Sequence, residues 1–248
     1  MAPNTNTTVI FVPGAWHGPE FFSEVRQHLE AQGYATDAVS LKSVGPAEHL
    51  KDFGPDVKLI QEHIGRAADA GQEVVLVCHS YGAMPATECV QGYEVETRAK
   101  AGKKGGVRHV CYLAAFIIAE GNSLISAFGG DLPWFNISED KQEVNPDGPG
   151  FVFYNDVSDE KAQAAIKELK PHSYQTLHSP LTYAAWKHVP ASYIYTTNDN
   201  AIPLHIQKMM VEEVGKGYDI RTETLDASHS PFLSVPKETA AAIAKVSA

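Results

Sequence analysis

Three polar residues that are far apart in the sequence have the side chains needed for nucleophilic catalysis. Ser80 lies in the pentapeptide CHSYG, and Asp199 and His229 follow much later in the chain. A serine hydroxyl is a weak nucleophile unless a base takes its proton, and a histidine oriented by a carboxylate can be that base. We therefore predict a catalytic triad in which Ser80 is the nucleophile, His229 the general base and Asp199 the acid that orients it.

Each of these residues also has an ordinary structural interpretation. CHSYG matches the nucleophile motif G-x-S-x-G only in part, because Cys78 replaces the first glycine. Asp199 could be a turn former, and a single histidine among 11 could be structural. Glu120, which follows the preceding predicted strand, is an alternative acid for the triad. The order of the three residues, each after a predicted strand, favours catalysis.

The elements that must position these residues alternate between strands and helices. Apolar runs predict strands near residues 7–12, 35–41, 74–78, 107–113, 191–198 and 220–227, with helical periodicity between them. This alternation indicates an α/β fold with a mostly parallel sheet of about six strands and helices on both faces. Ligands bind at the carboxyl ends of such strands, which is where Ser80, Asp199 and His229 are expected.

The same edge of the predicted sheet supplies donors for a negatively charged oxygen. The glycine turn VPGAWHG follows the first strand and contains Ala15, and Tyr81 follows the nucleophile directly. Their backbone N–H groups are predicted to form an oxyanion hole. The alternative is a turn that only connects a strand to a helix.

A long aromatic-rich interval separates the fourth predicted strand from the fifth. We expect residues 117–187 to form an inserted cap and residues 1–116 and 188–248 to form the core, since long unstructured loops are uncommon. DEKAQAAIKEL, residues 159–169, predicts a cap helix with Asp159 as its N-cap. The aromatic residues could line an apolar substrate pocket or form the core of the cap itself. The predicted substrate-binding residues are Trp16, His17, Trp134, Phe135, Phe153 and Trp186.

Charge and composition disfavour several kinds of partner. The net charge of −10 argues against nucleic acid or anionic lipid as the main partner. The one basic stretch, residues 97–109, predicts a solvated loop. The longest apolar run, residues 110–119, is too short to cross a membrane. Residues 1–8 lack the features of a secretion signal, so we expect a cytoplasmic protein.

Cysteine and histidine usage points away from disulfides and metals. Cys78, Cys89 and Cys111 lie in apolar segments and are predicted to be small buried residues rather than disulfide partners. No histidine pair has metal-ligand spacing on one predicted helix, so we expect no metal and no cofactor.

Four stretches resemble a particular branch of the α/β hydrolases, the one that contains plant methyl-salicylate and methyl-jasmonate esterases and plant hydroxynitrile lyases. They are residues 9–34, 77–86, 195–210 and 226–236. The resemblance implies the α/β-hydrolase fold, in which the triad order is also serine, acid, histidine. The usual His-Gly of the oxyanion turn is replaced by Pro13-Gly14. The lyases carry a lysine after the catalytic histidine and a hydroxyl residue at the oxyanion alanine, whereas Ser230 and Ala15 here favour ester hydrolysis.

The expected function is therefore that of a serine hydrolase that cleaves a small hydrophobic carboxylic ester or lactone through an acyl-enzyme. Its expected partner is a small-molecule substrate, and a homodimer remains one option. Two alternatives use the same scaffold. One is a lyase, a cyclase or a carbon–carbon bond hydrolase of secondary metabolism, and the other is a receptor that binds a small molecule without turnover.

Overall fold

The computed structural model describes residues 6–247. Its strands are β1 (Thr7–Val12), β2 (Ala35–Ala38), β3 (Glu73–His79), β4 (Gly106–Leu113), β5 (Phe135–Ile137), β6 (Glu143–Pro146), β7 (His172–Ser173), β8 (Ala191–Thr196) and β9 (Ile220–Leu225). Its α-helices are α1 (Ser23–Glu30), α2 (Gly54–Asp69), α3 (Ala83–Glu88), α4 (Val95–Lys100), α5 (Leu124–Phe128), α6 (Pro149–Phe153), α7 (Asp159–Glu168), α8 (Leu204–Met209), α9 (Pro231–Ser234) and α10 (Pro236–Val246).

The main sheet confirms the predicted fold class. Six strands pair in the order β2-β1-β3-β4-β8-β9, and every pair is parallel. Strand β3 lies inside this sheet, and its residues 74–78 are fully buried. Helices cover both faces of a parallel sheet, which explains why this strand is a continuous apolar run instead of an alternating one. The predicted triad residues follow β3, β8 and β9, as the topology requires.

The chain between β4 and β8 folds differently, and residues 117–187 are called the insertion below. Strands β5, β6 and β7 form a separate antiparallel sheet there. Helix α7 lies where a helix was predicted, but Ser158 occupies its N-cap, so the assignment of Asp159 to that position was wrong. Trp16 Nε1 donates a hydrogen bond to the Val144 carbonyl oxygen at 2.8 Å, and Val44 forms a β-bridge with His172. The insertion is thus bonded to the core.

The basic stretch, residues 97–109, is not the solvated loop that its charge predicted. Helix α4 and strand β4 take up much of it, and Arg98 is only 6% exposed. The Arg98 guanidinium donates to Asp69 at 2.7 Å and to the carbonyl oxygens of Lys104 and Gly105. Because the planar guanidinium has several donors, it can satisfy these acceptors together and hold the turn before β4.

Other sequence-based expectations concern cysteines and membranes. All three cysteines are free and buried, as predicted. No helix within residues 6–247 is long and apolar enough to cross a membrane. Residues 1–5, part of the stretch in which no secretion signal was expected, lie outside the described residues.

A close backbone contact joins the turns after β1 and β3. A Cβ atom added at Gly82 would lie 2.2 Å from the Pro13 carbonyl oxygen and 2.8 Å from that of Val12. Both distances are far below van der Waals contact, and backbone atoms cannot rotate away as a side chain can. Only glycine fits at position 82, and its small size sets the distance between the two turns.

We expect Gly82→Ala to lower the free energy of unfolding by about 3 kcal/mol or more, because the new methyl group must displace backbone. Gly65→Ala in α2 is the matched control, since its nearest neighbour, Tyr93 Cε1, would lie 3.8 Å from the new Cβ. Alanine is favoured over glycine inside a helix by about 1 kcal/mol, so this variant should be slightly stabilised. Urea unfolding measures both changes, and equal midpoints for the two variants would contradict this account.

Candidate active site

Ser80 lies on a tight turn between β3 and α3. Its φ angle of 51° is in the left-handed region, which residues other than glycine rarely adopt. The Phe116 N–H donates to the Ser80 carbonyl oxygen at 3.4 Å, and the serine is 8% exposed. Cys78, at the position of the first motif glycine, is fully buried and its thiol donates to the Cys111 carbonyl oxygen at 3.5 Å. A small thiol therefore fits where the motif has glycine.

The predicted base and acid are in direct contact. His229 Nδ1 lies 2.8 Å from Asp199 Oδ2, and both side chains are buried. Since a carboxylate accepts hydrogen bonds, this contact places an imidazole proton on Nδ1 and leaves Nε2 free to take another. Across residues 6–247, no hydrogen bond joins the Ser80 hydroxyl to His229. The structure thus pairs the base with the acid and places the serine turn beside them through His79, which contacts His229.

The Asp199 carboxylate accepts hydrogen bonds from several further donors. They are the N–H groups of Ala201 and Ile202, both at 2.8 Å, Thr196 Oγ1 at 3.0 Å and Gln207 Nε2 at 3.2 Å. Gln207 is fully buried and also bonds the backbone of Thr196 and Ile202. Gln207 was not predicted from the sequence, because its burial and its partners depend on packing in three dimensions. The network fixes the carboxylate in one orientation.

Glu120, the alternative acid, lies elsewhere. Its carboxylate contacts Lys187 Nζ at 2.9 Å and accepts a hydrogen bond from the Ala184 N–H. The hydrogen bond from Lys187 lowers the pKa of Glu120, whose side chain is 37% exposed. The geometry favours Asp199 as the partner of His229.

The two predicted oxyanion donors lie beside Ser80. Ala15 and Tyr81 line the same cavity as the serine, and a Cβ atom added at Gly14 would lie 2.9 Å from Ser80 Cβ. Neither the Ala15 N–H nor the Tyr81 N–H donates a hydrogen bond to any described residue. Trp16, next to Ala15, has a φ angle of 67°, so this turn is also in the left-handed region. Both N–H groups are available to an anionic oxygen.

A small apolar cavity adjoins the serine. Its lining residues are Ala15, Trp16, Ser80, Tyr81, Phe116, Leu124, Leu132, Trp134, Phe135, Leu177, Ala201 and Ile202. None of these side chains is charged, so the cavity suits an uncharged apolar group.

The predicted substrate-binding residues divide into two groups. Trp16, Trp134 and Phe135 line the cavity, whereas His17, Phe153 and Trp186 do not. Phe153 stacks on Trp16, with ring centroids 5.6 Å apart. Trp186 packs edge-on against Tyr112 instead, with ring centroids 6.2 Å apart. For the second group, substrate contact stays a prediction that this placement does not support.

A family model described as the alpha/beta hydrolase family matches residues 9–242. This match covers nearly the whole chain. The chain belongs to the α/β hydrolase family.

Known proteins with similar sequences or structures agree. The alpha/beta hydrolase nvfD from Aspergillus novofumigatus is 28% identical, over 92% of this chain and 91% of its own. A pyrethroid hydrolase structure from Sphingobium faniae matches with a TM-score of 0.79 and 22% identity over 97% of both chains. The Arabidopsis methylesterase MES16 matches with a TM-score of 0.74 and 23% identity, over 96% of this chain and 98% of its own. These structures establish the fold, and one of them is a plant methylesterase, a kind of protein that the sequence resembles.

In this hydrolase His17 is hydrogen-bonded to the backbone of the turn that contains Ala15. Its Nδ1 lies 2.7 Å from the Ala15 carbonyl oxygen and its Nε2 lies 2.8 Å from the Tyr154 hydroxyl. Burial lowers the pKa of His17 to about 4, so the ring is neutral near pH 7. Nδ1 therefore donates to the carbonyl oxygen, and Nε2 accepts from the Tyr154 hydroxyl. The sequence analysis suggested contact with substrate, but the structure shows contact with the backbone of the turn.

His79 is a second histidine of the hydrolase site, and the sequence analysis missed it. Its Nε2 donates to the His229 carbonyl oxygen at 2.9 Å, and the two ring centroids are 4.6 Å apart. Burial lowers the pKa of His79, so it too is neutral near pH 7. Its position directly before Ser80 is visible in the sequence, but its burial and its contact with His229 are not. No set of three or more potential ligand side chains among residues 6–247 is arranged to hold a metal ion.

The buried histidines should make the hydrolase labile to acid. Burial lowers the pKa of His17 to about 4 and that of His172 to about 3, from an ordinary value of 6.5. As the pH falls below 6.5, the unfolded chain binds protons that the folded chain excludes. The stability that the neutral histidines contribute is fully present well above pH 6.5. It is lost as the pH falls toward their folded-state pKa values, at up to about 1.4 kcal/mol per pH unit for each histidine.

Urea unfolding at pH 6.5, 6.0 and 5.5 measures this slope in a range above the usual pKa of carboxylates. In His172→Gln the slope should fall by about 1 kcal/mol per pH unit over this range, because the unfolded imidazole that is removed would be about half protonated at pH 6.5 and about nine-tenths protonated at pH 5.5. An identical slope in the variant and the wild type would show that His172 does not contribute.

Proposed function

We propose that this α/β hydrolase cleaves a small hydrophobic carboxylic ester or lactone with Ser80 as nucleophile, His229 as base and Asp199 as orienting acid. The observation that carries the proposal is the 2.8 Å contact between His229 Nδ1 and Asp199 Oδ2, beside the strained Ser80 turn. Strain of this kind is often found at functional sites. Catalytic hydrogen bonds are often long or absent without substrate, so the lack of a Ser80–His229 hydrogen bond here is compatible with the proposed reaction.

In the proposed reaction, His229 Nε2 takes the Ser80 proton as the hydroxyl oxygen attacks the ester carbonyl. The carbonyl oxygen becomes anionic and accepts hydrogen bonds from the Ala15 and Tyr81 N–H groups, each worth about 3 kcal/mol. The C–O bond to the leaving alcohol then breaks, and the alcohol receives the proton from His229. Water, deprotonated by His229, attacks the acyl-enzyme and releases the acid and Ser80. Asp199 stabilises the imidazolium at each stage.

The cavity supports a small, uncharged substrate. Its lining contains no charged side chain. Leu124, Leu132, Trp134, Phe135 and Leu177 of this lining belong to the insertion. We infer that the insertion acts as a cap that encloses the apolar part of the ester. Exclusion of water there strengthens the hydrogen bonds that stabilise the oxyanion.

Lyase chemistry that releases an anion such as cyanide has less support. A leaving anion is best stabilised by a nearby cation, and no charged side chain lines the cavity. Ser230, at the position that is lysine in the related lyases, is fully buried. A receptor without turnover would need no hydrogen-bonded Asp199–His229 pair, so that pair favours an enzyme.

We expect Ser80→Ala to lower kcat by about four orders of magnitude or more, because triad members act as a unit. The measurement is hydrolysis of aryl and alkyl esters of graded size, together with lactones, by both proteins. A fluorophosphonate should label the wild type and not the variant, and circular dichroism should confirm that the variant is folded. Undiminished hydrolysis in Ser80→Ala would remove the nucleophile from this proposal.

The acid can be tested with a matched pair of isosteric substitutions. Asp199→Asn should lower kcat about 10⁴-fold, because the amide favours the wrong imidazole tautomer. Glu120→Gln should leave kcat unchanged, since Glu120 pairs with Lys187 and not with His229. Steady-state kinetics on the best ester gives both values. A loss confined to Glu120→Gln would transfer the role to that residue.

A further inference from the structure

One short segment of the insertion, residues 153–156, contacts the three loops that carry the proposed catalytic groups. We call it the positioning segment. It begins at the last residue of α6, and it bonds to the oxyanion turn, to the loop after β8 and to the loop after β9. The partners in these bonds are 137, 43 and 72 residues away along the chain. All three contacts therefore arise from the fold and not from local sequence.

The contact with the histidine loop is made through Ser228. Asp156 Oδ2 accepts a hydrogen bond from the Ser228 N–H at 2.8 Å, and the Phe153 carbonyl oxygen accepts one from the Ser228 hydroxyl at 3.1 Å. Ser228 is fully buried and directly precedes His229. The Phe153 ring lies against the His229 ring, with centroids 5.6 Å apart and an interplanar angle of 34°. The positioning segment therefore contacts both the backbone next to His229 and the His229 ring.

The contact with the acid loop uses both neighbours of Asp199. Asn155 Nδ2 donates to the Asn198 carbonyl oxygen at 2.9 Å. Asn200 Nδ2 donates to the carbonyl oxygen of Phe151, just before the positioning segment, also at 2.9 Å. The loop that carries the acid is therefore fixed to the insertion on either side of the acid itself.

The contact with the oxyanion turn passes through His17. The Tyr154 hydroxyl donates to His17 Nε2 at 2.8 Å, and His17 Nδ1 donates to the Ala15 carbonyl oxygen at 2.7 Å. Tyr154 and His17 are each only 2% exposed. Both bonds have a single direction, because the carbonyl oxygen can only accept. Through His17, Tyr154 therefore fixes the carbonyl group of Ala15, the residue whose N–H is a proposed oxyanion donor.

We propose that Tyr154 and Asp156 are positioning residues, which fix the oxyanion turn and His229 relative to each other through the insertion. The proposal rests on the function proposed above for what is positioned. It assigns no chemical step to either residue, since neither lines the cavity. Misplacement of catalytic groups by about 1 Å can lower a rate about 100-fold, so two hydrogen bonds at these loops are enough to matter.

Asp156 offers a matched pair of variants. Asp156→Ala removes the acceptor for the Ser228 N–H, whereas Asp156→Asn keeps an oxygen there and removes only the charge. We expect kcat to fall about 10- to 100-fold in Asp156→Ala, with KM unchanged, and to recover in Asp156→Asn. Rates are expressed per active site, counted by fluorophosphonate titration, so loss of folded protein does not lower them. Wild-type kcat in Asp156→Ala would overturn the role of Asp156.

Tyr154→Phe provides a second variant that conserves shape. It removes the hydroxyl that bonds His17 and keeps the ring, which packs against those of Phe153 and His17. We expect kcat to fall about tenfold or more with KM unchanged, because the oxyanion turn loses a fixed support. An unchanged kcat in this variant would overturn the role of Tyr154.

Hydrogen exchange at the Ser228 amide tests the placement without any substrate. Its protection should fall about tenfold or more in Asp156→Ala and persist in Asp156→Asn, while protection in β3 is unchanged in both. This measurement is valid even if no ester is turned over, an outcome that would count against the proposed function alone. Full protection of Ser228 in Asp156→Ala would overturn the positioning proposal.

Discussion

The strained backbone of Ser80 is the constraint on which the site depends. A left-handed φ angle outside glycine costs about 1–2 kcal/mol, so the surroundings must hold it in place. Strand β3 supplies one part of this support, since it pairs with β1 and β4 up to the turn. Gly82 supplies the other part, because its Cα lies against the Pro13 carbonyl oxygen. The same contact brings Ala15 beside the serine, so Ser80 and the turn after β1 form one rigid unit.

The core and the insertion contribute different things to the site. The core places Ser80, Asp199 and His229 at the carboxyl ends of parallel strands, where loops converge whatever their sequence. Loops have freedom that strands lack, and the insertion limits it by hydrogen bonds to Ser228, Asn198 and His17. The same insertion supplies five of the twelve residues that line the cavity. The proposed enclosure of an apolar substrate and the proposed alignment of the catalytic groups therefore involve the same segment of chain.

The sequence predicted the sheet and the Asp199–His229 contact for one reason. Parallel strands end at one edge, so topology restricts which polar residues can meet before any chemistry is considered. It could not predict His79 or Gln207, because the partners of a buried polar side chain depend on packing in three dimensions. The prediction for the segment around Arg98 was wrong for a related reason. A charged side chain is usually exposed to solvent, whereas the Arg98 guanidinium is buried and donates hydrogen bonds to backbone carbonyl oxygens. The insertion lacks periodicity, so nothing in its sequence separated cavity-lining aromatics from packed ones.

Burial gives the histidines around the site different chemistry according to their partners. His17, His79 and His172 contact only neutral groups, and burial lowers the pKa of each, so they remain fixed, uncharged hydrogen-bond partners. His229 lies in the same apolar surroundings but contacts the Asp199 carboxylate. A nearby negative charge offsets the cost of burying an imidazolium. Of these four rings, His229 is the one that contacts a charged side chain, whereas the other three bond neutral groups and hold neighbouring segments in place.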